Sequence, residues 1–317
     1  MIRTGLPAWA RIGVLALLWG STFLWIKVAL DGFSPVQVTL LRCVLASLTL
    51  LALCRAAGHR LPRGGALWAR IAVAAFFCNA LPFALFSFAE QTVDSGVAGV
   101  LNATTPLWAL LIGVAGGTER RVPAVRWTGL LLGFAGTVLI FAPWQRSGGV
   151  GWNALAIVGA AVSYAVGFAF MARHLVGRGH PTLALSAAQM TAATALTALT
   201  LPAGGLTPVH GVAAALPAVL VLGVLATGVT FHLTFRVIAD EGATNAAAVG
   251  YLLPVVSVAL GAAALGEHIG ARIATGMAVV LAAVALSRRT APGTATESPS
   301  GGGSAPCASA GHAPAAT

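Results

Sequence analysis

The chain has 317 residues, of which 58% are hydrophobic and 8% charged, with a formal net charge of +10. An ordinary soluble domain carries about 25% charged residues. With a mean hydropathy of +0.89, this composition excludes a soluble enzyme, a nucleic-acid binder and a disordered protein as the main reading, and leaves a polytopic membrane protein.

Crossing a bilayer core of ~30 Å takes ~20 apolar residues in a helix. Ten such runs follow one another, at 9–30, 34–54, 66–89, 95–116, 124–142, 151–172, 182–201, 211–233, 243–265 and 271–287. The gaps are too short for a soluble domain. The first run is too long for a signal peptide and is read as an uncleaved helix. Residues 288–317 are rich in Gly, Ser, Pro and Ala and are predicted to be a disordered tail.

Basic residues set the orientation. With the N-terminus inside, the cytoplasmic segments hold fourteen arginines and the outer side holds Lys27, Arg146 and Arg272. That bias predicts both termini in the cytoplasm. It also gives the basic residues a topological role, so no nucleic-acid partner is inferred. Lipid and a small-molecule substrate are the expected partners.

The chain repeats weakly at an offset of 148. Pro106 falls on Pro254, Glu119 on Glu267 and Gly113 on Gly261. Pro35 and Pro181 open the second span of each half. Five spans per half is an odd number, so the halves face opposite ways across the bilayer. Inverted repeats of this kind place a substrate site near the midplane. The predicted units are residues 1–145, residues 146–287 and the tail. The fold class is an all-α integral membrane protein with ten transmembrane helices in two inverted five-helix repeats.

Several residues are candidates for chemistry. Arg42 lies about 10 Å into the second span at ~1.5 Å per residue. A charge at mid-helix costs roughly 2.5–3.5 kcal/mol on insertion scales, so it points to a cavity or a partner. Its fork-shaped guanidinium suits a substrate carboxylate. The structural alternative is snorkelling, or a pair with Glu90 or Asp94. Asn79 and Asn102 each precede a proline, Pro82 and Pro106, that frees a backbone carbonyl. Gln189 is a further mid-span amide. Trp19, Phe23, Trp108, Tyr164 and Tyr251 are candidate cavity walls, and Ser21 follows Trp19 closely. Pro82, Pro106 and Pro254 are expected kinks. The acids lie at span ends, in loops or in the tail, so proton coupling has few candidates. Glu90 and His232 are the two nearest to membrane depth.

Other chemistry is not suggested. The four cysteines make no CxxC or metal spacing, no metal site is indicated, and there is no P-loop or hydrolase constellation. No cofactor is expected, and the chain is read as a non-enzyme. The Gly113…Gly117 and Gly129…Gly133 spacings allow close helix contact within the bundle or in a homodimer.

Residues 9–287 resemble an EamA-type member of the drug/metabolite transporter superfamily. The resemblance is carried by Trp19-Gly20-Ser21-Thr22-Phe23, by Pro35 with Arg42, and by the Pro106…Glu119 and Pro254…Glu267 segments. Gly129, Gly276 and Tyr164-Ala165 add to it. It implies a ten-helix bundle in the cell membrane with a central cavity lined by spans 1, 3, 4, 6, 8 and 9. It also implies a secondary transporter working by alternating access, with export of amino acids or related metabolites as the commonest activity. Efflux of hydrophobic drugs or dyes is the alternative.

Overall fold

The computed structural model describes residues 8–93, 95–117, 122–142, 152–256 and 270–289. Within them the protein is helical throughout. The first half contains α1 (Ala8–Gly20), α2 (Thr22–Leu30), α3 (Pro35–Ala56), α4 (Gly65–Ala75), α5 (Leu81–Ala89), α6 (Ser95–Asn102), α7 (Thr105–Ala115) and α8 (Ala124–Phe141). The second half contains α9 (Trp152–His174), α10 (Thr182–Ala198), α11 (Val212–Leu220), α12 (Thr230–Glu241), α13 (Ala243–Ala248) and α14 (Ala271–Arg289). Among the described residues, six helical stretches are long and apolar enough to cross a membrane: Trp9–Leu30, Pro35–Ala56, Gly65–Ala89, Ala98–Ala115, Trp152–His174 and Ala215–Glu241. Ala124–Ile140, Ala243–Val256 and Ala271–Leu286 are shorter apolar helices. The helix α14 runs two residues into the stretch expected to be tail. The rest of that stretch, Glu119 and Glu267 lie outside the described residues.

The second span begins where its sequence says it should. The Ser34 hydroxyl accepts from Gln37 N, and the Gln37 carboxamide oxygen accepts from Ser34 N, with Pro35 in the first turn. This reciprocal cap satisfies two donors that a helix start otherwise leaves bare. The same side chains reach across the molecule. Ser34 donates to the Gly204 carbonyl at 2.8 Å and Gln37 to the Thr207 carbonyl at 2.8 Å. They fix the start of α3 to the loop that follows α10.

Prolines and hydroxyls shape the interior. Pro82 has no N–H to offer the carbonyl four residues back. The preceding turn widens into a π segment, Phe76–Ala80, where Leu81 N–H donates to the Phe76 carbonyl five residues away. The Phe77 carbonyl is taken by the Ser163 hydroxyl of α9 at 2.7 Å. In the fourth span the chain breaks between α6 and α7, just before Pro106. Thr104 and Thr105 close the gap by donating to the Leu101 and Asn102 carbonyls, both at 2.7 Å. Near Pro254, α13 passes through a 3-10 turn, Val249–Tyr251, before the helix resumes. A second π segment, Val221–Val229, joins α11 to α12.

The pair α8 and α14 packs along its length on one flank. Glycine makes this possible. A Cβ on Gly136 would stand 3.0 Å from the Gly276 carbonyl oxygen, and one on Gly276 would stand 3.0 Å from that of Gly136. Gly133 faces the Tyr251 ring, where a Cβ would approach to 2.9 Å. The contacts of Gly133 are therefore inside the bundle. Replacing Gly276 with Ile is expected to destabilise the protein by about 1–3 kcal/mol through overpacking. The check is the thermal midpoint of the detergent-solubilised protein by circular dichroism, which should fall; an unchanged midpoint would contradict the close approach.

Candidate functional site

A narrow cavity opens between the two halves, with room for about 50 Å³ in this conformation. The first span supplies Trp19, Thr22, Phe23 and Ile26. The third supplies Phe83 and Phe86, and the broken fourth supplies Asn102 and Thr105. From the second half come Tyr164 and Phe168 of α9, Ala226 of the π segment and Phe231 of α12. Ala247, Gly250 and Leu253 complete that side. The apolar runs at 9–30, 66–89, 95–116, 151–172, 211–233 and 243–265 thus all contribute to it, and the run at 34–54 adds Arg42.

The walls are aromatic. Trp19 stacks on Phe168 at 6.2 Å between ring centroids. The row continues through Tyr164 at 6.0 Å from Phe168, Phe86 at 6.3 Å from Tyr164, and Phe23 at 5.7 Å from Phe86. On another side Phe83 and Phe231 meet edge to face at 6.1 Å. Such pairs hold each other's orientation.

Arg42 is the charged residue among the described lining residues. It is 3% exposed. Its Nε donates to Thr227 Oγ1 at 3.1 Å, and its guanidinium carbon lies 3.7 Å from the centre of the Phe83 ring. The Thr227 hydroxyl in turn donates to the Leu222 carbonyl at 2.7 Å, a bond spanning five residues inside the π segment. The widened turn therefore fixes the hydroxyl rotor so that its lone pair faces Arg42. No carboxylate among the described residues pairs with the guanidinium. Glu90, one of its two expected structural partners, makes no ion pair with it; Asp94, the other, lies outside the described residues. Two donor-bearing nitrogens of the fork remain for a guest.

The sequence candidates divide by location. Trp19, Phe23, Arg42, Asn102 and Tyr164 line the cavity together. Asn79 and Gln189 are fully buried against each other, with Gln189 Nε2 donating to Asn79 Oδ1 at 2.7 Å. They tie the first π segment to α10 outside the lining. Tyr251 donates to the Leu130 carbonyl at 2.8 Å and fills the space above Gly133. Trp108 donates to Thr104 Oγ1 at 3.2 Å, and Ser21 donates to the Leu18 carbonyl at 2.9 Å. These five side chains direct their donors into the bundle, and Gln189 Oε1 is left buried without a partner. Phe83, Phe168, Phe231 and Thr227 belong to the site and were not singled out as binding residues. A phenylalanine in an apolar run carries no signal of which way it faces.

Of the two coupling candidates, Glu90 follows directly on the third span. It is 1% exposed, and neither carboxylate oxygen has a hydrogen-bond partner. His232 on α12 is half-buried outside the cavity lining, with Nδ1 unpartnered. Among the described residues no group of three or more His, Cys, Asp or Glu is arranged to hold a metal.

Replacing Thr227 with Val removes the oxygen that orients Arg42. A hydrogen bond to a charged group is worth about 1.5–3 kcal/mol. The expected result is roughly a tenfold or larger loss of apparent substrate affinity, read from the concentration dependence of transport in proteoliposomes. Thr227→Ser should retain wild-type affinity, and a wild-type affinity in Thr227→Val would remove the positioning role.

The model of the EamA-like transporter family matches residues 10–142 and again residues 151–289. The chain is 27% identical over 294 residues to the uncharacterized inner membrane transporter YedA of Escherichia coli, covering 90% of this chain and 91% of that one. It is 28% identical over 292 residues to a probable terminal-alkyne amino-acid exporter of Streptantibioticus cattleyicolor, covering 89% and 93%. A transporter of Bacillus subtilis, YdfC, is 26% identical over 260 residues, covering 79% and 80%. One solved crystal structure superposes with a TM-score of 0.71 at 22% identity, over 90% of this chain and 97% of the other, and shows the fold alone.

Proposed function

The chain belongs to the EamA-like transporter family, and from that premise we propose that it exports a small carboxylate-bearing metabolite, an amino acid or a related solute, by alternating access. In this reading ten spans form two inverted five-helix repeats, residues 1–145 and 146–287, around the cavity. The arginine bias supports both termini in the cytoplasm.

The observation that carries the reading is Arg42. Its guanidinium is buried in an aromatic cavity, held by one hydroxyl and one ring face, and lacks an anionic partner among the described residues. A carboxylate satisfies two of its donors at once. The aromatic row then takes up the apolar body of the solute. The two matched halves of the chain support inverted repeats. A relative named a probable amino-acid exporter supports the substrate class.

The aromatic walls favour a second reading, efflux of hydrophobic drugs or dyes, in which Arg42 holds the walls together. Counterflow separates the two. Proteoliposomes are loaded with unlabelled amino acids, and entry of each labelled one is followed without an ion gradient. Uptake above protein-free vesicles is expected for at least one amino acid. Arg42→Ala is expected to lower that uptake to the protein-free level while leaving dye efflux intact. No uptake of any amino acid would overturn the substrate class. Loss of both activities in folded Arg42→Ala would assign Arg42 to structure.

A further inference from the structure

The cavity explains Arg42 but leaves Glu90 unused. Glu90 caps the C-terminal end of α5, its backbone N–H donating to the Phe86 carbonyl at 2.9 Å. A negative charge there is opposed by the helix dipole. Its carboxyl group is buried and receives no hydrogen bond. A natural membrane protein rarely keeps an ionisable group in such a place without a use for it.

The surroundings define that use. Phe86, one turn before Glu90, lines the cavity, and so do Phe23 and Ile26 of α2. Lys27, next to Ile26, acts on Glu90 from α2, and Arg42 acts on it from α3. From α9 come the Tyr164 phenol and, at the far end of that helix, Arg173 and His174. The neighbouring α6 carries no charged side chain. Burial pushes the Glu90 carboxyl up, to about 8, against the pull of Arg42 and then Lys27. The group therefore exchanges its proton within the physiological range.

We propose that Glu90 is the proton site of this carrier, and that a proton on Glu90 travels together with the substrate carboxylate on Arg42. The proposal rests on the reading that Arg42 binds that carboxylate. One buried guanidinium then serves two carboxylates. In the empty carrier the nearby Arg42 field lowers the proton affinity of Glu90, so that the group is partly ionised near pH 8. When a substrate carboxylate occupies Arg42, that field is spent, and Glu90 holds its proton more tightly. Binding linkage is reciprocal, so a protonated Glu90 also raises the affinity for the substrate anion. Proton and substrate favour the same state of the carrier, which makes it a cotransporter, one that exports down an outward substrate gradient and carries the proton out with the substrate. An antiporter requires the two to compete.

Two measurements test this, and the first needs no substrate. Infrared difference spectra of wild type and Glu90→Gln in lipid are recorded across a pH series. Wild type is expected to show a protonated carboxyl band that disappears as pH rises through about 8, and Glu90→Gln is expected to lack it. Absence of the band in wild type, or an equal band in the variant, would overturn the proton site. The second compares uptake of labelled amino acids into proteoliposomes with acid outside and with no gradient. The ratio is expected to exceed one in wild type, to fall to one in Glu90→Gln and to recover in Glu90→Asp. A ratio below one in wild type, or an unchanged ratio in Glu90→Gln, would overturn cotransport. If no labelled amino acid enters with either protein, the Arg42 reading and cotransport fail together, and the infrared measurement alone decides the proton site.

Discussion

A single positive charge held inside an apolar helix bundle governs this structure. Placing an arginine at mid-span costs roughly 2.5–3.5 kcal/mol on insertion scales. The molecule offsets that cost without a carboxylate. Thr227 accepts from Nε, at about 1.5–3 kcal/mol for a charge-assisted bond. Phe83 offers its negative face, at about 0.5–2 kcal/mol for a cation over an aromatic ring. The two contacts are together of the same order as the cost. The guanidinium is thus stable where it lies, while part of its fork stays open to the cavity. A permanent carboxylate partner would close that fork.

The irregular helices follow from this constraint. Thr227 orients Arg42 because its own hydroxyl proton is committed to Leu222, five residues back in a π segment. The fourth span is broken where Asn102 and Thr105 face the cavity, with hydroxyls occupying the carbonyls the break exposes. At Phe76–Ala80 the widened turn is braced from α9 through Ser163. Irregular backbone at membrane depth is tolerated only where protein or a cavity satisfies it. Here each irregularity either lines the cavity or has a side chain dedicated to it. The regular, glycine-packed pair α8 and α14 stands aside from the cavity.

Much of this was legible in the sequence, and the limit has a physical cause. The apolar runs, the capped start of α3 and the prolines are local features, and local chemistry decides them. Arg42 was legible because a charge in an apolar run always needs an explanation. Asn102 was marked by the proline after it, and Trp19, Phe23 and Tyr164 were marked as aromatic residues within apolar runs. The direction in which a side chain faces was not legible. A helix such as α9 carries Ala, Val, Gly and Phe around its whole circumference, so no polar stripe marks its outward face. Asn79 and Gln189 look like binding amides in one dimension, but their bond to each other depends on helix rotation. Phe83, Phe168 and Phe231 are unremarkable until tertiary structure sets Phe83 under the guanidinium, Phe168 against Trp19 and Phe231 against Phe83. Glu90 was visible as the deepest acid, but its lack of any donor is a property of the packed bundle alone.

The central claim is that the open fork of Arg42 recognises a carboxylate. It is tested most directly by equilibrium binding of the best counterflow amino acid and of its amide, to wild type and to Arg42→Gln. The amide keeps the body of the ligand and removes the anion. The account predicts that wild type prefers the acid by a factor of about ten or more, as one charge-assisted contact supplies, and that Arg42→Gln binds both weakly and equally. Equal affinity of wild type for acid and amide would contradict it.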